Sequence, residues 1–413
     1  MAKKSMVLRG LTALLTFVFS LSIVTGVTLE GYKSTIDTNL GTQSEKFVSE
    51  STDADPLYNK FTPSAEVLNE DGTGNSHALI QKAMNLNRQQ AAEGAVLLKN
   101  ENNALPLASG SKVTLLGIRS HVPLVGSSFG VKAWGGFINL EQALSQNKTD
   151  FANTITTSVN TNRQTGETTV GRTVSSWSGD EFEFEGAGYE INPTMVSIYE
   201  KLNETYNHAN NESPAEVYDP GEPSLAEIAA VDSSYESSFA KYGDASIVVI
   251  SRPSAESKDY LPGGIAEGLG ADEPLALTTN ERDIIETAKK ASDKVIVLVN
   301  SATAVEIGDL KNDPDIDAIL WIGFPGCYGM TGIADILCGR TSPSGGLPDI
   351  YPTYNMSAPA MQNMGKMYYT NTAEVITRSG GLLSFTPGAY TIEAEGLYTG
   401  YRYYETRYED CVN

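Results

Sequence analysis

A carboxylate on a loop that leaves a buried strand is well placed to give and take protons, and this sequence has one at Glu256. The apolar run SIVVIS (246–251) is followed by RPSAESKDYLPGG, which puts Arg252, Lys258 and Asp259 near Glu256 along the chain. That is a suitable address for a general acid/base. It is equally the address of an ordinary solvated loop acid, because strand-end loops are polar by default. Three other constellations invite a chemical reading. Glycines 323, 326, 329 and 332 in GFPGCYGMTG lead into a helix, as in a phosphate-cradling turn. They lack the G-x-G-x-x-G spacing, and no acidic residue ends a following strand at the usual distance, so a tight turn is the better account. Gly126 to Gly130 fits G-x-S-x-G with Ser128 as nominal nucleophile, but Trp134-Gly135-Gly136 follows where a nucleophile elbow needs a helix. Tyr398, Tyr401, Tyr403, Tyr404 and Tyr408 either stack on sugars or pack as strand side chains, and alternation at period two favours the strand.

Composition excludes several classes. The chain has 413 residues, enough for one large domain or two to three ordinary ones, and 40% hydrophobic content with 19% charge suits a packed core. Acidic residues number 51 against 29 basic, a formal charge of -22 that repels phosphate backbones, so no nucleic-acid partner is expected. Three histidines (His77, His121, His208) and three cysteines (Cys327, Cys338, Cys411) stand far apart. They write no CxxC pair, no HExxH helix and no disulfide framework, so no metal or other cofactor is expected. Cys327 and Cys338 read as small buried hydrophobes.

The candidate loops need a frame, and the second half of the chain supplies it. SIVVIS (246–251), a helix over Thr279–Ala291, VIVLVN (295–300), a helix over Ala304–Leu310, AILWIG (318–323) and a helix over Met330–Cys338 alternate as strand and helix. Continuous apolar strands at that spacing predict a mostly parallel sheet flanked by helices, an α/β sandwich. VTLLGI (113–118) predicts a further buried strand, GAVLLKN a short apolar run ending at Lys99-Asn100, and residues 78–93 and 193–208 two more helices. Thr279 is the expected cap of the 279–291 helix, and Gly339 the closing residue of the last. EFEFEGAGYEI (181–191) alternates charge with aromatics like an exposed strand pair. In such sheets ligands approach the carboxyl ends of the strands, which directs attention to the loops after Ile250, Asn300 and Ile322.

Lys3, Lys4 and Arg9 precede the nearly uncharged stretch from Leu11 to Leu29, which reads as a signal peptide or an uncleaved membrane anchor over residues 1–29. Either way an extracytoplasmic chain is expected, secreted or anchored by residues 11–29. Polar residues 30–77 read as a spacer.

Five segments, in order, carry a family resemblance: AAEGAVLLKNENNALPL (91–107), IVVISRPSAES (247–257), KVIVLVNSATAVEI (294–307), DAILWIGFPGCYGMTGIADILCGRTSPSGGLPDIYP (317–352) and GLYTGYRYYETRYED (396–410). Together they resemble the α/β-sandwich domain of glycoside hydrolase family 3, which includes many β-glucosidases, over residues 78–413. The resemblance implies a sandwich that closes over a sugar pocket built mainly on a neighbouring (β/α)-barrel domain. It also implies that Glu256 is the general acid/base, although relatives often carry glycines where this chain has Ala255 and Ser257. The family's nucleophile resembles an aspartate in a Ser-Asp-Trp setting on the barrel. No Ser-Asp-Trp occurs here, so no nucleophile is assigned in this chain. A barrel takes about 250 residues, for which no room remains. The expectation is therefore an N-terminal fragment or one half of a split enzyme, of the branch in which the sandwich precedes the barrel. Its expected partners are a β-linked oligosaccharide or aryl glycoside and the barrel domain, in cis or in trans. In the joined enzyme Arg252 and Lys258, if close, would hold Glu256 ionised. A non-catalytic carbohydrate-binding or surface-anchored module is the alternative reading.

Overall fold

A computed structural model describes residues 2–33, 64–126, 137–150, 155–161, 168–174, 181–206, 218–254, 260–365, 367–371 and 389–407. The chain divides into two units, residues 1–64 and 65–413. Within the first, Ala2–Gly31 form a single helix, α1. Its segment Arg9–Gly31 has a mean hydropathy of 2.0 and no residue buried, and it is long enough to cross a membrane.

The second unit holds a six-stranded sheet. Its strands are β1 (Val96–Asn100), β2 (Lys112–Leu116), β7 (Glu190–Ile191), β8 (Ala245–Arg252), β9 (Val295–Ser301) and β10 (Ala318–Trp321), in the order β1-β10-β9-β8-β2-β7. All neighbours run parallel except edge strand β1, which is antiparallel to β10. Every residue of β8 and β9 is buried, as expected of unbroken apolar runs covered on both faces. The period of two sorts them: Ile247 and Val249 enter one core with Leu298, Leu320 and Ile333, while Val248 and Ile250 enter the other with Val297, Ile284 and Ile285. Helices α2 (Ser76–Gly94), α4 (Leu140–Ser145) and α9 (Met330–Leu337) line the first core. Helices α5 (Pro193–Tyr206), α6 (Leu225–Val231) and α7 (Thr279–Ala291) line the second. The fold is the expected α/β sandwich preceded by an apolar helix. The short helices α3 (Ile118–His121), α8 (Gly308–Asn312), α10 (Pro359–Gln362) and α11 (Tyr401–Thr406) complete the α-helices among the described residues, beside three 3-10 turns at Ala65–Val67, Tyr235–Ser238 and Asn355–Ser357.

Four local expectations are corrected. The cap of α7 is Thr278 rather than Thr279: its Oγ1 accepts the Glu281 amide while the Glu281 carboxylate accepts the Thr278 amide, a reciprocal box that fixes the first turn. The 304–310 helix shrinks to α8, because Ser301 closes a turn on Thr303 and the Glu306 amide is spent on the Leu275 carbonyl. The 181–191 stretch is not a strand pair. Its first half, β6 (Glu181–Glu183), pairs with β3 (Lys148–Asp150), its second half is β7, and Phe182, Phe184 and Tyr189 are buried. A two-stranded ribbon of β4 (Ile155–Thr161) and β5 (Thr168–Val174) precedes it. The tyrosine-rich end is helical, not extended: Tyr404 of α11 is buried, Tyr403 half-buried, and Tyr398 and Tyr401 exposed, while Tyr408 lies outside the described residues. Remaining short pairing joins β11 (Met367–Tyr368) to β12 (Ala389–Tyr390).

Candidate active site

The carboxyl ends of β2, β8, β9 and β10 meet at one edge of the sheet, and a set of buried polar side chains is spent on fastening the loops there. Arg252, the last residue of β8, is fully buried. Its Nη1 donates to Glu281 Oε1 at 2.6 Å and its Nη2 to Glu281 Oε2 at 3.0 Å, a two-pronged ion pair. The remaining donors go to the carbonyls of Pro274, Ser251 and Ala276 at 2.6–2.7 Å. Burial alone would lower the guanidinium pKa, yet the adjoining Glu281 carboxylate holds it well above its ordinary value. One carboxylate thus both caps α7 and neutralises the end of β8. The five N–H groups of the guanidinium are all taken by these partners.

The loop beyond Arg252 is closed at its base. Pro253 and Tyr260 are buried, and the Tyr260 hydroxyl donates to the Pro253 carbonyl. Glu256, Lys258 and Asp259 fall between these two anchors and lie outside the described residues, which omit 255–259. Tyr218 packs edge-on against Tyr260 with ring centroids 5.0 Å apart, and the Arg252 guanidinium stands 5.8 Å from the Tyr218 ring. The Tyr218 backbone continues the clamp, donating to the Gly264 carbonyl at 2.6 Å and accepting from the Ala266 amide at 2.9 Å. Burial pushes the Tyr218 hydroxyl up to about 12 and that of Tyr260 still higher, so both stay neutral at physiological pH.

Asn300, at the end of β9, ties two neighbouring loops. Its Oδ1 accepts the Leu124 amide at 2.6 Å, and its Nδ2 donates to the carbonyls of Leu124 and Gly323 at 2.8 and 2.6 Å. Glu222 is the other buried carboxyl at this edge. Its Oε2 accepts the Ile118 amide at 2.8 Å and its carbonyl accepts Asn280 Nδ2 at 2.9 Å, while Oε1 has no hydrogen-bond partner among the described residues. Burial raises its pKa to about 8, against the lowering pull of the Ile118 amide and the buried Arg119.

The glycine-rich turn after β10 is accounted for by packing. Gly326 has φ +86°, and a Cβ there would sit 2.5 Å from Asn87 Oδ1; at Gly332 it would sit 2.1 Å from the Arg88 carbonyl. These glycines let the turn and α9 lie directly on α2, as a tight turn requires. Ser128 and Trp134 fall in 127–136, outside the described residues, as do His208 and Cys411. His77 stacks on Phe182, and burial lowers the pKa of His121. Cys327 and Cys338 are free thiols, each half-buried, with Cys338 packed on the first core.

Sequence reasoning reached the loop after β8 but missed Asn300, Glu222 and the Arg252 to Glu281 pair. The T-x-x-E spacing at Thr278 marks Glu281 as a capping residue, but nothing local links it to an arginine 29 positions earlier. Glu222, in the turn-forming DPGEP, carries no signal of burial.

Comparison with known proteins places these observations. A family model described as the glycosyl hydrolase family 3 C-terminal domain matches residues 95–401. β-Glucosidase A of Butyrivibrio fibrisolvens is 25% identical over 365 residues, covering 84% of this chain and 35% of that protein. An exo-1,4-β-xylosidase of Aspergillus niger is 25% identical over 329 residues, covering 75% and 32%. The chain therefore spans about a third of the length of these curated relatives. The solved structure of β-glucosidase 3B from Thermotoga neapolitana in complex with glucose superposes with a TM-score of 0.52 at 22% identity, over 81% of this chain and 38% of that one, which supports the fold.

Proposed function

The chain belongs to the glycosyl hydrolase family 3 C-terminal domain family, and from that membership we propose that it is the acid/base-bearing portion of a retaining β-glycosidase that acts on β-glucosides or β-xylosides. Residues 78–413 are the sandwich domain, Glu256 is its general acid/base, and a (β/α) barrel supplied in cis or in trans brings the aspartate nucleophile and most of the sugar pocket. The observation that best supports this reading is the loop after β8. It leaves the carboxyl end of a central buried strand, stands on the saturated Arg252 to Glu281 pair, and is closed at its base by Tyr260 on Pro253.

The chemistry follows from retention, which uses two carboxyl groups about 5–5.5 Å apart. Glu256 protonates the glycosidic oxygen while the barrel aspartate attacks the anomeric carbon. It then takes a proton from the water that releases the sugar from the covalent intermediate. Its pKa must cycle between these roles. Desolvation under the barrel and the nucleophile's charge raise it for the first step, and loss of that charge in the intermediate lowers it for the second. Export is part of the proposal: residues 1–29 are a signal or anchor and 30–77 a spacer, a reading supported by the exposed apolar helix Arg9–Gly31.

Turnover of an aryl β-glucoside tests the reading. The 413-residue chain alone is expected to be inactive, and adding a family 3 barrel domain restores turnover that Glu256→Gln cuts by roughly 10²–10⁴. Turnover by the chain alone, or indifference of the joined enzyme to Glu256→Gln, overturns it. A non-catalytic carbohydrate-binding role is the second reading, favoured by the exposed rings of Tyr369 and Tyr390, 4.8 Å apart. It predicts sugar binding that neither needs Glu256 nor leads to hydrolysis.

A further inference from the structure

We infer that Glu222 is the positioning residue of the 260–266 segment that follows the candidate catalytic loop, pinning the 218–222 segment against β2 and α7 so that Tyr218 in turn holds residues 260–266. The inference rests on the acid/base reading of Glu256 for its functional meaning, though its geometry stands without it. The chain of contacts is continuous. Glu222 Oε2 holds the Ile118 amide, just after β2, and its carbonyl holds Asn280 in the first turn of α7. Between Glu222 and Tyr218 the chain turns tightly, with the Gly221 amide on Asp219 Oδ1 and Gly221 at φ +75°. Tyr218 then clamps Gly264 and Ala266 through its backbone and Tyr260 through its ring, and Tyr260 closes the loop on Pro253. Three residues of chain therefore separate the buried carboxyl from Tyr218, which packs on Tyr260.

The state of that carboxyl matters because of its surroundings. The titratable and charged groups that face it are Arg119 from α3, Tyr199 from α5 and Glu281 from α7. Glu281 is already paired twice with Arg252, so its residual charge opposes a second carboxylate close by. Tyr199 spends its hydroxyl oxygen on the Gly117 amide at 2.8 Å. As the neutral acid, Glu222 keeps its bond to Ile118 at little desolvation cost. Ionised, it must draw water toward Oε1, and the 218–222 segment loosens. Loss of the proton thus frees the base of the loop as pH rises through about 8.

Hydrogen exchange on the 413-residue chain tests this without any enzymatic readout. After correction for intrinsic chemistry, the Tyr218 and Ala266 amides of the native protein are expected to lose about tenfold protection between pH 6.5 and 9, a window that brackets the Glu222 pKa. The neutral isostere Glu222→Gln keeps that protection across the range, and Glu222→Ala lacks it throughout. Amides of β9 report global stability, which itself falls over this range, so the loss at Tyr218 and Ala266 counts only where their opening free energy lies below that of β9. Superposable pH profiles for native and Glu222→Gln proteins overturn the inference, as does full protection in a folded Glu222→Ala. Should Glu222→Ala fail to fold, the native and Glu222→Gln comparison alone decides. If Glu256 is not the acid/base, barrel-supplemented turnover ignores Glu256→Gln while the exchange result stands, so the two failures are distinguishable.

Discussion

At the scale of single residues, the carboxyl edge of the sheet is a place where buried polar side chains are consumed in fastening loops. Arg252 illustrates the cost of such an arrangement. Its guanidinium and the Glu281 carboxylate are both buried, so removing either strands the other. Arg252→Met should lower unfolding free energy by roughly 3–5 kcal/mol in urea titration. The double variant Arg252→Met, Glu281→Gln should recover much of that, because the glutamine can still accept from Thr278. An Arg252→Met protein as stable as the native one would contradict the pairing. Asn300→Ala should cost roughly 1–3 kcal/mol by the same assay, since the Leu124 amide is left buried without its acceptor. In the sequence, Glu256 was legible as a strand-end acid because SIVVIS announces the strand before it. The pairing of Arg252 with Glu281 was not, because the two stand 29 positions apart and only the fold brings them together.

At the scale of elements, the sheet was legible where burial on both faces makes a strand uniformly apolar, as in β8 and β9. It was illegible where charge masks burial. Phe182 and Phe184 are buried between exposed glutamates, and the alternation that reads as a surface hairpin belongs to two different sheets. The tyrosines near the C-terminal end misled for a related reason. Tyr401 and Tyr403 keep a period of two, but the segment is a short helix in which the adjacent Tyr403 and Tyr404 pack inward and Tyr401 stays exposed. Helix termini followed local chemistry more faithfully, and Thr278→Ala should cost about 1 kcal/mol through loss of one half of the α7 box. The contact of α9 with α2 is set by Gly332. Gly332→Val should cost roughly 1–3 kcal/mol and lower the melting temperature, because the side chain meets the Arg88 carbonyl. An unchanged Tm would show that the two helices do not lie as close as described.

At the scale of the whole molecule, charge and one buried acid shape the response to pH. A carboxyl whose folded-state pKa is raised is protonated in the native chain while already ionised in the unfolded one. Stability is therefore lost as pH rises from the ordinary value of 4.5 toward about 8 and levels off above it. Glu222→Gln should flatten that limb of a urea-monitored profile, and an identical slope in native and variant proteins would contradict the assignment. The family was legible in five ordered segments, none decisive alone. The central claim, that Glu256 protonates the leaving group, is tested most directly by leaving-group dependence in the barrel-supplemented protein. Glu256→Gln should depress kcat/KM on an alkyl β-glucoside by roughly 10²–10⁴, yet barely on a dinitrophenyl β-glucoside, whose leaving group needs no proton. Equal losses on both substrates, or none on either, would contradict it.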